Sequence, residues 1–148
     1  MKSIKLDLRR IAAAIMACVL VGAAMPAAAV VRVQVAAPTG LWVNPARSVK
    51  VATAPCGAAL CGRVAWASGA ASTDARAGGT PRLAGTEILQ DYHRAGAATW
   101  QGRVLVPDMG RTVDSTLTLL DTDRLKVSGC VLGGLFCKSQ IWTRVEQP

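Results

Sequence analysis

The sequence predicts an all-β domain, an antiparallel sandwich or barrel. Three observations carry this expectation. Beyond residue 30 the apolar residues recur with period two far more often than with the 3.6 of a helix. Turn-forming residues separate these stretches at spacings of roughly ten residues, as in sandwiches and barrels. No stretch carries the apolar stripe of a long helix.

The stretches follow in order. Val31, Val33 and Val35 alternate with Arg32 and Gln34. Gly40-Leu41-Trp42 opens the domain's first strand, and Val49 and Val51 flank Lys50. LCGRVAW (Leu60 to Trp66), TEILQDY (Thr86 to Tyr92) and WQGRVLV (Trp100 to Val106) come next. In RTVDSTLTLL (Arg111 to Leu120), Val113, Leu117 and Leu119 alternate with polar residues. RLKVS (Arg124 to Ser128) and IWTRV (Ile141 to Val145) complete the set. Half-buried strands read this way because successive side chains point to opposite faces. Pro107 to Gly110, Asp121-Thr122-Asp123 and Gly133-Gly134 supply turns. Ser68 to Arg82, rich in Ala, Gly and Thr, reads as a loop with at most a helical turn.

The N-terminus has a different character. Lys2, Lys5, Arg9 and Arg10 precede an uncharged apolar run from Ile11 to Met25, then Pro26 and the small residues Ala27 and Ala29. This is the three-part pattern of a secretory signal peptide, residues 1–29. The run is short for a membrane span, and the residues before Cys18 fit a lipoprotein signal poorly. The remaining chain divides into an N-terminal extension, 30–38, and a β-barrel domain, 39–148. The whole chain is 51% hydrophobic with a net charge of +8, but residues 30–148 hold thirteen basic and eight acidic residues, a net +5. The basic residues are scattered rather than striped, which argues against nucleic acid as a partner. A mild attraction to an anionic envelope surface is compatible with them. No stable membrane span is expected after cleavage.

Four cysteines remain beyond the leader: Cys56, Cys61, Cys130 and Cys137. An even number in a small exported chain implies disulfides. Pairing Cys56–Cys61 and Cys130–Cys137 would staple two hairpins, because paired strands bring facing Cα atoms within disulfide range. Crossed pairing between the two regions stays open. The spacings suit neither a zinc knuckle nor a C-x-x-C redox site, and no metal or cofactor is expected.

Gly40 and Trp42 near the start, with Trp142 and Arg144 on the last strand, look like the closure of lipocalin-like (calycin) barrels, in which the Arg packs across the Trp face. A guanidinium on an indole contributes roughly 0.5–2 kcal/mol. More broadly, GLW…NP, LCGRV, LAGTEIL, W-x-G-R-V…P-D-x-G-R-T, L-x-V-S-G-C and SQIWTRV, running from Thr39 to Val145, resemble the DUF2147 family of small exported bacterial proteins. The resemblance implies an antiparallel lipocalin/calycin-like up-and-down β-barrel of about eight strands. Family members usually carry a longer loop with a D-x-x-N-P element. Here Asp74 matches the Asp, the Asn-Pro is missing, and no role of that loop carries over.

Trp66 and Trp100 are the candidates to line a ligand cavity; Trp42 and Trp142 read as core. His93, the single histidine, reads as a solvated turn residue. Asp108, Asp121 and Asp123 could serve as paired carboxylates of a hydrolase, but all lie in turns, where Asp bonds its own backbone. Ser115 and Ser139 lack a nucleophile-elbow context. The expectation is therefore a periplasmic or secreted, non-enzymatic barrel. It would hold an unknown small apolar or amphipathic ligand or meet an envelope protein. A filled barrel serving as an interaction module is the alternative, and a hydrolase a more distant one.

Overall fold

Alternation along each segment becomes pairing with the next. The computed structural model describes residues 34–146. Among them are eight strands: β1 (Gly40–Val43), β2 (Val49–Cys56), β3 (Ala59–Ala67), β4 (Glu87–Arg94), β5 (Thr99–Val106), β6 (Arg111–Leu119), β7 (Arg124–Val131) and β8 (Phe136–Val145). Each runs antiparallel to its sequence neighbour, and β8 returns to β1, so the sheet closes into an up-and-down barrel. The leader at 1–29 and residues 30–33 lie outside the described residues. Where the strand expected at 31–35 is described, it is absent: Gln34 to Thr39 run without regular structure, and Val35 is exposed.

Two more departures from the sequence reading matter. The stretch from Ser68 to Arg82 is not simply a loop. It contains a helix, α1 (Gly69–Ala77), whose N-cap Ser68 accepts a hydrogen bond from the Ala71 amide. The cap satisfies one of the free amides of the first turn, and alanine has the best intrinsic helix propensity. The inward face is made by Ala75, which is buried, and Ala71, side chains too small to print an apolar stripe. The second departure is a β-bulge. Val51 pairs with Val64, but Lys50 pairs with Trp66, so Ala65 is an extra residue in β3. One inserted residue inverts the alternation beyond it. Trp66 therefore lies on the outer face beside Lys50, whose ammonium sits 5.8 Å from the ring centroid.

Inside the barrel the residues expected to be apolar meet. Trp42, Leu89, Tyr92, Leu117 and Leu125 are fully buried. Gly62 and Gly102 make room for two of them: a Cβ on Gly62 would lie 2.8 Å from Leu89 Cδ1, and one on Gly102 2.7 Å from Tyr92 Cγ. The hydroxyl of Tyr92 approaches Ser115, but Ser115 Oγ donates to the Ser128 carbonyl at 2.7 Å. The phenol is left without a hydrogen-bond partner among the described residues. Burial raises its pKa far above that of a free tyrosine, so it stays neutral. Leaving a buried hydroxyl unpaired costs about 1–3 kcal/mol. Tyr92→Phe is thus expected to keep or raise the melting temperature, as read by thermal denaturation; a clear fall would show that the hydroxyl has a bonded partner in solution.

Both disulfides join the cysteines of neighbouring strands. Cys56–Cys61 staples the β2–β3 hairpin, with Cα atoms 5.7 Å apart, and Cys130–Cys137 staples the β7–β8 hairpin across a directly facing pair. The crossed connectivity is not formed. The gain of about 4 Da on reduction is the solution test.

Candidate functional site

The two ends of the barrel differ. One end carries the start of β1, the end of β8 and the β2–β3, β4–β5 and β6–β7 turns. Here Trp42 is completely buried, and its indole N–H donates to Thr53 Oγ1 at 3.0 Å and to the Pro38 carbonyl at 3.2 Å. Arg144 lies over its ring at 4.2 Å from the centroid. The guanidinium also donates to the Thr39 carbonyl at 2.7 Å and the Thr122 carbonyl at 2.6 Å. Gly40 has a positive φ of 130°, and a Cβ there would collide with the Arg144 guanidinium. The G-x-W spacing thus has a steric reason: the glycine leaves the space through which the arginine reaches the tryptophan.

A second stack of the same kind, which the sequence reading missed, lies nearby. Arg94 sits 4.5 Å from the Trp100 ring centroid and donates to the carbonyls of Ala97 at 2.8 Å and Val35 at 2.6 Å. Asp121 holds the β6–β7 turn by accepting from the Asp123 amide and from Arg124. The bond to Arg124 keeps its carboxyl below the usual aspartate range. His93 is exposed at this end, 3.0 Å from Asp91. The carboxylates considered for a hydrolase do not share a cleft: Asp121 and Asp123 are in this turn, whereas Asp108 is in the β5–β6 turn at the other end.

The other end is hollow. A cavity of about 520 Å³ lies under α1 and the β5–β6 turn and between β5, β6, β7 and β8. Its wall is mainly aliphatic, with Val49, Ile88, Val104, Val113 and Val127 among its residues, and Trp142 reaches it from β8. Lys138 and Gln140 enter from β8, and Asp74 and Asp108 lie toward the mouth. Gly129 opposite Lys138 keeps the wall open. The volume falls within the ~300–1,000 Å³ typical of small-ligand sites.

The α1 lid is fitted closely to the β5–β6 turn. A Cβ at Gly78 would collide with the Asp108 backbone, and Thr80 Oγ1 donates to the Pro107 carbonyl at 3.2 Å. Strand β1 leaves the opposite side uncovered. It pairs only with Thr143 to Val145, so β8 from Phe136 to Trp142 has no partner on that edge among the described residues.

Neither tryptophan expected to line a cavity does so. Trp66 is turned outside by the bulge at Ala65, and Trp100 is buried beneath Arg94 in the filled half. Trp142 is buried in the core, as expected, and it also borders the cavity, its indole N–H donating to Gln140 Oε1 at 3.0 Å. Carrying the alternation of the last strand backward from Trp142 through Gln140 and Lys138 to Phe136 would have found the β8 wall in the sequence. A filled interior, the alternative drawn from sequence, describes one half of the barrel and not the other.

A closed eight-stranded barrel with one plugged and one open end is the architecture of the lipocalin-like proteins. A model of the family described as "Uncharacterized protein conserved in bacteria (DUF2147)" matches residues 40–144, and the chain belongs to that family. Among solved structures it is similar to one described as "Protein HP1028 from the human pathogen Helicobacter pylori belongs to the lipocalin family". The two share 12% identity with a TM-score of 0.56, over 76% of this chain and 85% of that one. At that identity the likeness is one of fold. No curated protein matches the chain.

Proposed function

We propose that the protein is an exported, non-enzymatic barrel that holds a small apolar or amphipathic ligand in its open half. The observation that carries this reading is the aliphatic cavity of about 520 Å³, large enough for an alkyl chain or a compact ring system. The polar side chains among its lining, Asn44, Ser48, Asp74, Asp108, Lys138 and Gln140, would meet a ligand's polar end. Export is supported by the leader pattern in residues 1–29 and by the two disulfides, which persist in oxidising compartments.

The test is a fluorescence titration with N-phenyl-1-naphthylamine, followed by competition with a medium-chain fatty acid. The expected result is saturable, blue-shifted emission that the fatty acid reverses. Unchanged emission at saturating protein would overturn the reading. Cell fractionation and intact mass of the recovered chain test export: periplasmic or secreted protein lacking residues 1–29 is expected.

A further inference from the structure

The hairpin between β7 and β8 lies on the rim of the open end and ends in exposed apolar side chains. Leu132 is 70% exposed, Leu135 79% and Phe136 65%. Met109 in the β5–β6 turn, across the cavity mouth, is 55% exposed. Isolated exposed apolar residues are ordinary, but several on one hairpin tip mark an interaction surface. The tip is also preset. Gly133 and Gly134 take positive φ angles, and the Cys130–Cys137 disulfide clamps the hairpin directly behind it. The disulfide thus fixes the stem of the hairpin, and the two glycines supply the turn that places Leu132 and Leu135 at its tip.

Charge says what the tip faces. Around the open end, Arg47, Arg76, Arg82, Arg111 and Lys138 form no salt bridge among the described residues, and they outnumber the acids Asp74, Asp108 and Asp114, while Glu87 is already paired with Arg63. At the plugged end the arginines are engaged with carbonyl oxygens or with Asp121 and Asp123. The barrel is thus polarised, with an apolar tip and free cations together at the end where the cavity opens. Apolar side chains that enter the acyl boundary, with cations behind them at the headgroups, are the two elements of interfacial binding to anionic lipid.

We infer that the open end docks onto an anionic bilayer surface, with Leu132, Leu135 and Phe136 inserted at the acyl boundary and the cavity mouth facing the lipid. This surface does not depend on the cavity being a ligand site. The test is cosedimentation with phosphatidylglycerol-containing vesicles against pure phosphatidylcholine vesicles, the N-terminus being identical in every variant and verified by intact mass. The protein is expected to pellet with the anionic vesicles and to be released by salt. Leu135→Asp with Phe136→Asp is expected to weaken binding at least about tenfold while keeping the melting temperature, since both side chains are exposed. Arg47→Glu with Arg111→Glu is expected to abolish the preference for anionic lipid. Absence of pelleting, or unchanged pelleting of the Leu135/Phe136 variant, would overturn the inference. So would a concentration-dependent dimer in sedimentation velocity that the same variant dissolves, because a second copy would then cover the tip.

Discussion

Arg144→Ala is expected to lower the stability of the barrel by about 2–4 kcal/mol, more than most surface substitutions. The side chain does three things at once: it covers the Trp42 ring at 4.2 Å, and it bonds the Thr39 and Thr122 carbonyls. The stack is worth roughly 0.5–2 kcal/mol. Each charge-assisted bond is worth up to about 1.5–3 kcal/mol, reduced here because the side chain is partly exposed. The truncation also opens the buried Trp42 to water. A loss of this size lowers the melting temperature of a domain near 100 residues by about 10 °C or more. Ligand binding at the far end is expected to survive in the protein that remains folded. Thermal denaturation and the naphthylamine titration read the two effects separately. An unchanged melting temperature would remove the closure role from Arg144, and lost binding in fully folded protein would show that the ends are coupled. Gly40→Val tests the same contact from the other side, since the new side chain would occupy the space of the guanidinium.

The second large effect is expected in the hollow half. Val104 and Val113 face each other across β5 and β6 on the cavity wall. Val104→Trp puts an indole into the space a ligand would occupy. Probe affinity should fall by at least about tenfold, because overlap with even part of a ligand removes more than 1.4 kcal/mol of contact. The cavity is already empty of side chains, so stability should change little or rise, in contrast to overpacking a filled core. Fluorescence titration and thermal denaturation on the same preparation check both halves of the claim. Tight binding by a folded Val104→Trp protein would place the ligand elsewhere.

Much of the fold was legible because strands write their period plainly. Alternation in Arg111 to Leu119 and the turn at Asp121 to Asp123 place β6 and β7, and the Gly40, Trp42 and Arg144 set points to the plugged end. The misplaced features share a physical cause. Helix α1 meets the core only through Ala71 and Ala75, so its inward face carries no signal above composition. Strict alternation from Val64 would turn Trp66 inward, and a single extra residue, Ala65, reverses it. Bulges depend on how two strands accommodate each other, not on either strand alone. The walls of the cavity are illegible for a different reason: a hollow is the absence of large side chains. Val104, Val113 and Gly129 look like any strand interior until the opposite wall is known.

The short first strand has a consequence for how the chain folds. Seven of the eight pairings join strands that are neighbours in sequence, while β1 meets β8 across the length of the domain, the Arg144–Thr39 bond spanning 105 positions. Contacts so distant along the chain form late and slow folding. As the chain folds, β1 pairs with β2 early, but its other edge, from Leu41 to Val43, stays open until β8 arrives. A waiting strand is a template for another molecule's edge. At four residues, β1 is too short to hold a foreign strand firmly, yet it is long enough to close the barrel once Arg144 arrives to lock it.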